Sequence, residues 1–467
     1  MRVSTGKSLH AAIVGVLYFA VFLVVALFGH DDPPFSVTPQ TSLDQLADNT
    51  LGLPFGDPAS FATAARDLAK TGALTPDHAY IFRLWPPGIS ILEAALARVI
   101  GTSGPLILCL QIISVTLLTM IAMSLRGVLR AGLPIFVATV LPLSLVAFPM
   151  FRLWFLEPSG IMFSDALAIE WFVLALLLAL PARDRLTSCR RAVIAGLCLA
   201  IAAYFRPYVE TIVVVATCLA VGLAALRWLP LIRCAVPRQT IASIALVLLT
   251  AHLLMLPWRL HNMADSGNSV PAWASTFVVI AQNSLATHDT LLAAGGKFVI
   301  DGGGDLACAF EPAQCGATDQ PVQRMLGVFV RHMPDWIGRK LAMLDEHWFA
   351  PLLYFSGMPA TPDTDIVNIG ANTLTLVLLF ALPFLLFLAR RHPAVPLLAL
   401  MTLAILASYA VIMTLVQIEA RYFNFLKVYI VVVAMISASL NCQRQPGLTR
   451  WQPSKWVTDI RSLLSFG

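Results

Sequence analysis

Runs of about 20 apolar residues recur along this chain, and each is long enough to cross a bilayer as a helix with its backbone groups satisfied internally. The first, 11–28, follows Arg2 and Lys7 and exits into Gly29-His30-Asp31-Asp32-Pro33-Pro34. No small-x-small cleavage site follows it, so it reads as a retained signal anchor. Of 467 residues, 58% are hydrophobic and 12% charged; that charged share is about half the usual one for a soluble domain. The chain therefore reads as an all-α polytopic membrane protein with about ten transmembrane helices, outer-face interfacial helices and a mixed outer segment. The net charge of +5 follows from arginines in short loops and implies no nucleic acid.

Lysine and arginine placement sets the orientation. The stretch 86–101 is apolar, but Glu93 and Arg98 interrupt it. If it crossed, Arg126, Arg130, Arg183, Arg185, Arg190 and Arg191 would all lie outside. Lying flat on the outer surface, it leaves them all inside. The further spans fall at 105–125, 131–149, 164–181, a broken pair over 192–226, 240–257, 370–389, 394–417 and 422–440. The chain divides into an N-terminal transmembrane module, 1–257, whose first outer loop is 31–104; an outer segment, 258–369; C-terminal transmembrane helices, 370–440; and a cytoplasmic tail, 441–467. Of the 26 Asp and Glu, Asp184 and Asp459 alone fall inside. Acids contribute little to orientation, so this one-sidedness has another cause. An acid-rich outer surface with interspersed arginines reads as a site.

The first outer loop carries a helical stretch. Asp57 precedes Pro58, a favoured first residue of a helix, and 59–70 runs without Gly or Pro to Gly72, a C-cap signal. Asp57 has two readings: a cap for orphan backbone donors, and a reactive carboxylate at the lipid–water boundary. Charges at or within a membrane are costly and usually have a reason. Asp57, Arg83, Glu157, Asp165, Arg206, Arg259, Glu419 and Arg421 come from distant parts of the chain, yet each falls at the outer end of a span. A bundle brings such ends together into one pocket; the competing reading is a set of structural ion pairs, Glu157 with Arg152 among them. Gly295, Gly296, Gly302, Gly303 and Gly304 lack phosphate-loop spacing and read as turns. Of eight cysteines, Cys308 and Cys315 lie in the outer segment. Such a pair closes a small loop in an oxidising compartment; a metal site is the alternative.

Asp57-x-x-x-Phe61, then Ala65, Leu68 and Gly72, then Arg83-x-Trp85-Pro86-Pro87-Gly88, resembles the first outer loop of the GT-C superfamily. These are membrane glycosyltransferases of the protein mannosyltransferase and lipid A aminoarabinose transferase type. Phe205-Arg206-Pro207 resembles their Arg-Pro break between two short spans. Pro257-Trp258-Arg259-Leu260-His261-Asn262 resembles the Pro-Trp-x-x-Arg-Asn exit of a middle helix. Glu419-Ala420-Arg421-Tyr422 resembles the Glu-x-Arg-Tyr that opens the last span. The chain departs from the pattern at Phe61, where Tyr is common, at His261, in the usual Arg place, and after Tyr422, where Pro is missing.

The resemblance implies an inverting glycosyltransferase moving a sugar from a polyprenyl-phosphate donor to a glycan, lipid or protein acceptor. The site would lie on the outer, periplasmic face of a bacterial inner membrane. The resemblance carries the general-base role to Asp57 and donor-phosphate binding to Arg83, Arg206, Arg259, His261 and Arg421. It carries an acceptor or second acidic site to Glu157, Asp165 and Glu419, where relatives that need a divalent cation would hold one. Two other classes stay open: a surface-glycan ligase or polymerase with lipid-diphosphate donors, and a lipid or solute transporter. A transporter would place acids and Gly/Pro breaks near mid-membrane in two related halves.

Overall fold

The computed structural model describes residues 3–28, 36–52, 57–79, 81–181, 188–226, 236, 238–266, 285, 306–316, 319–349, 366–415 and 420–443. Every regular element among them is a helix. The chain opens with the apolar α1 (Val3–Phe28), and the stretch after it folds into a platform of short helices. These are α2 (Leu43–Ala47), α3 (Asp57–Thr71), α4 (Ile81–Leu84) and α5 (Gly88–Ile100). Helix α3 stops at Gly72, whose φ of +79° suits glycine alone among common residues. Its buried face, Phe61, Ala62 and Ala65, repeats at helical spacing and packs on α5. Arg98 Nη2 clips the two together by donating to Leu68 O at 2.7 Å. With 13 residues, α5 is too short to span a bilayer. Glu93 faces its packed side at 1% exposure, and burial pushes that carboxyl well above the usual range.

The spanning helix α6 (Leu106–Leu129) follows. The next apolar stretch, 131–149, reads as one span in the sequence, and the structure breaks it. Helix α7 (Ile135–Val140) passes into a 3-10 turn, Leu141–Ala147, then into α8 (Pro149–Phe155) and α9 (Pro158–Ile161). Pro142, Pro149 and Pro158 each lack the amide that would continue the preceding helix, and each starts the next element instead. Helices α10 (Ser164–Ala179) and α11 (Cys189–Phe205) hold 16 and 17 residues. They are followed by α12 (Pro207–Ala225) and the long α13 (Arg238–Ser266), which runs on through Pro257. Helix α10 is buried on every face, as befits the centre of a bundle, and packs on α6 and α11. A Cβ at Gly196 would lie 2.6 Å from Val247 O, so the backbones of α11 and α13 touch there.

The segment 258–369 contributes α14 (Leu306–Phe310), α15 (Pro321–Arg331) and α16 (Met333–Phe349). They share a small core of Ala307, Met325, Val328 and Trp336. A disulfide joins Cys308 and Cys315. The Arg331 guanidinium donates to both oxygens of Glu311, at 2.7 and 2.8 Å, and holds that carboxyl below its usual range. The glycine-rich stretch 295–304 lies outside the described residues. Helices α17 (Ile366–Leu388), α18 (Val395–Leu415) and α19 (Ala420–Cys442) complete the bundle. Helix α16 docks on all three: Trp336 Nε1 donates to Thr414 O at 2.8 Å, and Lys427 Nζ donates to Trp348 O and Asn372 Oδ1, each at 2.8 Å.

Helices α1, α6, α12, α13, α17, α18 and α19 are each long and apolar enough to cross a membrane. With the shorter apolar α10, α11 and the broken stretch Ile135–Ala147, they account for the segments that hydropathy marks as spans. The protein is an all-α polytopic membrane protein.

Candidate active site

Helix α11 ends at Phe205 because Pro207 brings no amide and disfavours helical backbone at the residue before it. Arg206 is accordingly extended, with φ −144° and ψ 132°, and its side chain turns into the bundle. Its Nη2 donates to Asp165 Oδ2 at 2.5 Å, while Nη1 lies 3.7 Å from Asp57 Oδ2. Its Cζ sits over the Phe61 ring, 5.7 Å from the centroid and one turn along α3 from Asp57. Both carboxylates occupy the first turn of their helices, beside unsatisfied amides and the positive dipole end. Exposure separates them. The Asp165 side chain is 3% exposed and that of Asp57 17%, so a solute from the aqueous side reaches Asp57 and not Asp165.

The Pro-Pro-Gly motif builds this contact. A Cβ at Gly88 would lie 2.4 Å from Tyr204 O, so only glycine lets the start of α5 rest on the end of α11. That contact fixes the outer-loop platform beside Arg206. Phe61 and Trp85 meet edge to face at 5.6 Å, tying α3 to the same motif. At the far end of α3, Thr75 and His78 hold Asp67. Partial burial pushes its carboxyl up, but hydrogen bonds from Thr75 and the contact with His78 outweigh this and leave it below its usual value of 3.8.

Arg259 forms a second cluster. Helices α12 and α13 run antiparallel, and each presents two polar groups seven residues apart, a spacing that returns to the same helix face. Glu210 Oε1 accepts from Arg259 Nε at 2.6 Å. Arg259 Nη1 lies 2.8 Å from His252 Nδ1, and His252 Nε2 lies 2.9 Å from Thr217 Oγ1. The sequence reading singles out neither Glu210 nor His252. Their signal was an acid and a histidine inside apolar spans, where such groups are rare.

Of the remaining candidates, Glu157 and His261 have described side chains. Glu157 pairs with Arg152 at 3.3 Å, the ion pair that the sequence offers as the alternative to a site. His261 is exposed and tilts against Trp258, ring centroids 5.3 Å apart; Trp258 meets Phe82 edge-on at 6.0 Å, which joins α4 to α13. Arg83 lies in α4 and Arg421 in α19, but their side chains are outside the described residues, as is the whole of Glu419. Among the described residues no group of three or more His, Cys, Asp or Glu is placed to hold a metal ion. Glu157 and Asp165 each face a different arginine.

No family model matches the chain, and no curated protein sequence matches it. Among solved structures, an archaeal oligosaccharyltransferase, AglB from Archaeoglobus fulgidus in complex with an inhibitory peptide and a dolichol-phosphate, is similar to it. The identity is 14% and the TM-score 0.45, over 94% of this chain and 50% of that chain. The present chain thus spans about half the length of that structure. At that degree of likeness, the chemistry rests on this chain's own residues.

Proposed function

We propose that the protein is an inverting glycosyltransferase that takes a hexosyl or pentosyl group from a polyprenyl-phosphate donor on the outer face of the membrane. The observation that carries this reading is Asp57, a partly exposed carboxylate beside the buried Arg206 guanidinium. The four motifs in order along the chain support it. Asp165, sealed in the bundle, anchors Arg206; Arg206 in turn orients Asp57.

Asp57 acts as the general base. It takes the proton of an acceptor hydroxyl as that oxygen bonds to the anomeric carbon, and the bond from that carbon to the lipid-phosphate oxygen breaks. A single displacement inverts the anomeric centre. The leaving phosphate gathers negative charge, which arginines at the lipid boundary stabilise by charge-assisted, bidentate contacts. The resemblance assigns that role to Arg83, Arg259 and Arg421, and to His261. Arg206, already held by two carboxylates, contributes by position more than by free charge. The resemblance gives Glu419, Glu157 and Asp165 to the acceptor or a second acidic site. The outer segment 258–369, whose α16 docks on α17, α18 and α19, supplies acceptor specificity. The setting is a bacterial inner membrane, with the site on the periplasmic face.

The test is Asp57→Asn in proteoliposomes supplied with a radiolabelled lipid-phosphate sugar. The variant is expected to lose roughly 10²- to 10⁴-fold in transfer rate while eluting as a single species in detergent. Wild-type transfer by that variant would remove Asp57 from the mechanism.

A further inference from the structure

Hydrogen counting fixes the polarity of the Arg259 cluster. Thr217 Oγ1 donates its one proton to Val213 O at 2.8 Å, so toward His252 it only accepts, and His252 Nε2 carries the proton. Arg259 has donors alone, so His252 Nδ1 is an acceptor. The histidine is therefore the neutral Nε2–H tautomer, and Arg259 is gripped on two edges: Nε by Glu210, Nη1 by His252. Its third edge, Nη2, is buried and has no hydrogen-bond partner among the described residues. The whole residue is 8% exposed. It sits one position from Trp258, in the last turns of α13 that the sequence assigns to the outer interface, where tryptophans gather.

A planar guanidinium held at Nε and Nη1 offers the two N–H groups of Nη2 in fixed directions, each able to donate to a phosphate oxygen. We propose that Glu210 and His252 are positioning residues that lock Arg259 as a one-edge clamp for the donor's lipid phosphate. The inference rests on the lipid-phosphate reading above and adds two residues that no motif marks. It also has a pH signature. A proton on His252 Nδ1 sets an N–H against the Arg259 guanidinium and opens the clamp. The charged and titratable groups facing His252 are Arg259 on its own helix and Glu210 from α12. Tyr204 faces the cluster from α11, with its hydroxyl donated to Leu254 O at 3.0 Å. The other elements packed on α13 carry Asp165 and Glu170 on α10, Tyr409 on α18 and Arg83 on α4.

The experiment is equilibrium binding of a short-chain polyprenyl phosphate to the full-length protein in detergent, with the polyprenol of equal length as control, across pH. Wild type is expected to prefer the phosphate and to lose about tenfold in affinity between about pH 7.5 and about pH 5. His252→Asn keeps an acceptor for Arg259 and takes no proton; it stays within about threefold of wild type at the upper pH and is flat below it. His252→Leu and Glu210→Gln lose roughly tenfold or more, and Arg259→Lys does not restore a two-donor edge. The proposal is overturned if His252→Asn keeps the wild-type pH slope, or if Glu210→Gln binds as wild type does. A His252→Leu protein that fails to fold leaves the Asn comparison decisive. Wild type that binds phosphate and alcohol equally well would sink the lipid-phosphate reading itself, a separate outcome.

Discussion

Arg206 and Arg259 are both buried near the ends of apolar helices, and both are held by a carboxylate, yet the two clasps are closed differently. Arg206 meets two carboxylates, Asp165 and Asp57. Arg259 meets one carboxylate and one neutral imidazole, and keeps an edge without a partner among the described residues. The first arrangement fixes an anion in place; the second presents a cation. The number of anions around a buried arginine, more than the arginine itself, decides what it can do for a ligand.

The comparison breaks most visibly on removal of the arginines. Arg206→Gln strips the sealed Asp165 of the guanidinium that holds it and removes a neighbour of Asp57. It is expected to destabilise the protein by about 3–5 kcal/mol, the usual range for stripping a buried ion pair of one partner. Arg259→Gln strands a single carboxylate, Glu210, and is expected to cost less, about 1–3 kcal/mol. Thermal unfolding of both variants in one detergent checks the order; equal losses would erase the distinction between the clasps.

Gly88→Ala separates the two sites. Its Cβ would press on the Tyr204 carbonyl at 2.4 Å, and the resulting shift of α5 against α11 is expected to cost about 1–3 kcal/mol. Transfer turnover should fall, because the Asp57 platform moves, while lipid-phosphate affinity through α12 and α13 holds. Parallel measurement of turnover and donor affinity gives the answer; equal loss of both would mean that the contact at Tyr204 holds the Arg259 clasp as well as the Asp57 platform.

The smallest effect concerns acid. Asp67 ties the end of α3, the helix that carries Asp57, to Thr75 and His78. Its folded carboxyl lies below the ordinary 3.8. Its contribution to stability is therefore present above that value and is lost as pH falls through the lowered one. Asp67→Asn is expected to flatten the acid side of the stability profile by about 1 kcal/mol or less, with the Arg259 cluster unaffected. Melting curves near pH 3 and pH 6 test this, and an unaltered acid slope would mean that Asp67 does not hold the platform.

Much of the framework was legible in the residues. Gly72 as a helix stop, the break at Phe205-Arg206-Pro207 and the non-spanning 86–101 stretch all follow from local rules about glycine, proline and arginine, and the structure has each of them. The 131–149 span was misread as one helix because hydropathy averages over Pro142 and Pro149, which cost the window little apolarity but end a helix. Within the site, Asp57, Asp165 and Arg206 were named and do meet. Glu157 was named too and goes instead to Arg152. Glu210 and His252 escaped notice because charges were sought only at span ends. Their signal, paired polar positions seven apart on neighbouring spans, has meaning only once the two helices are known to face each other.

The sequence by itself determined which segments are long and apolar enough to enter the membrane. Lipid leaves a backbone no choice but internal hydrogen bonding. Which charge meets which was decided only by tertiary packing. Asp165 precedes Arg206 by 41 residues and Glu210 precedes Arg259 by 49, so these contacts depend on how each helix is rotated and how deep it sits against its neighbours. A contact of a few ångströms between side chains on separate helices is set by those rotations, and no local rule along the chain contains them.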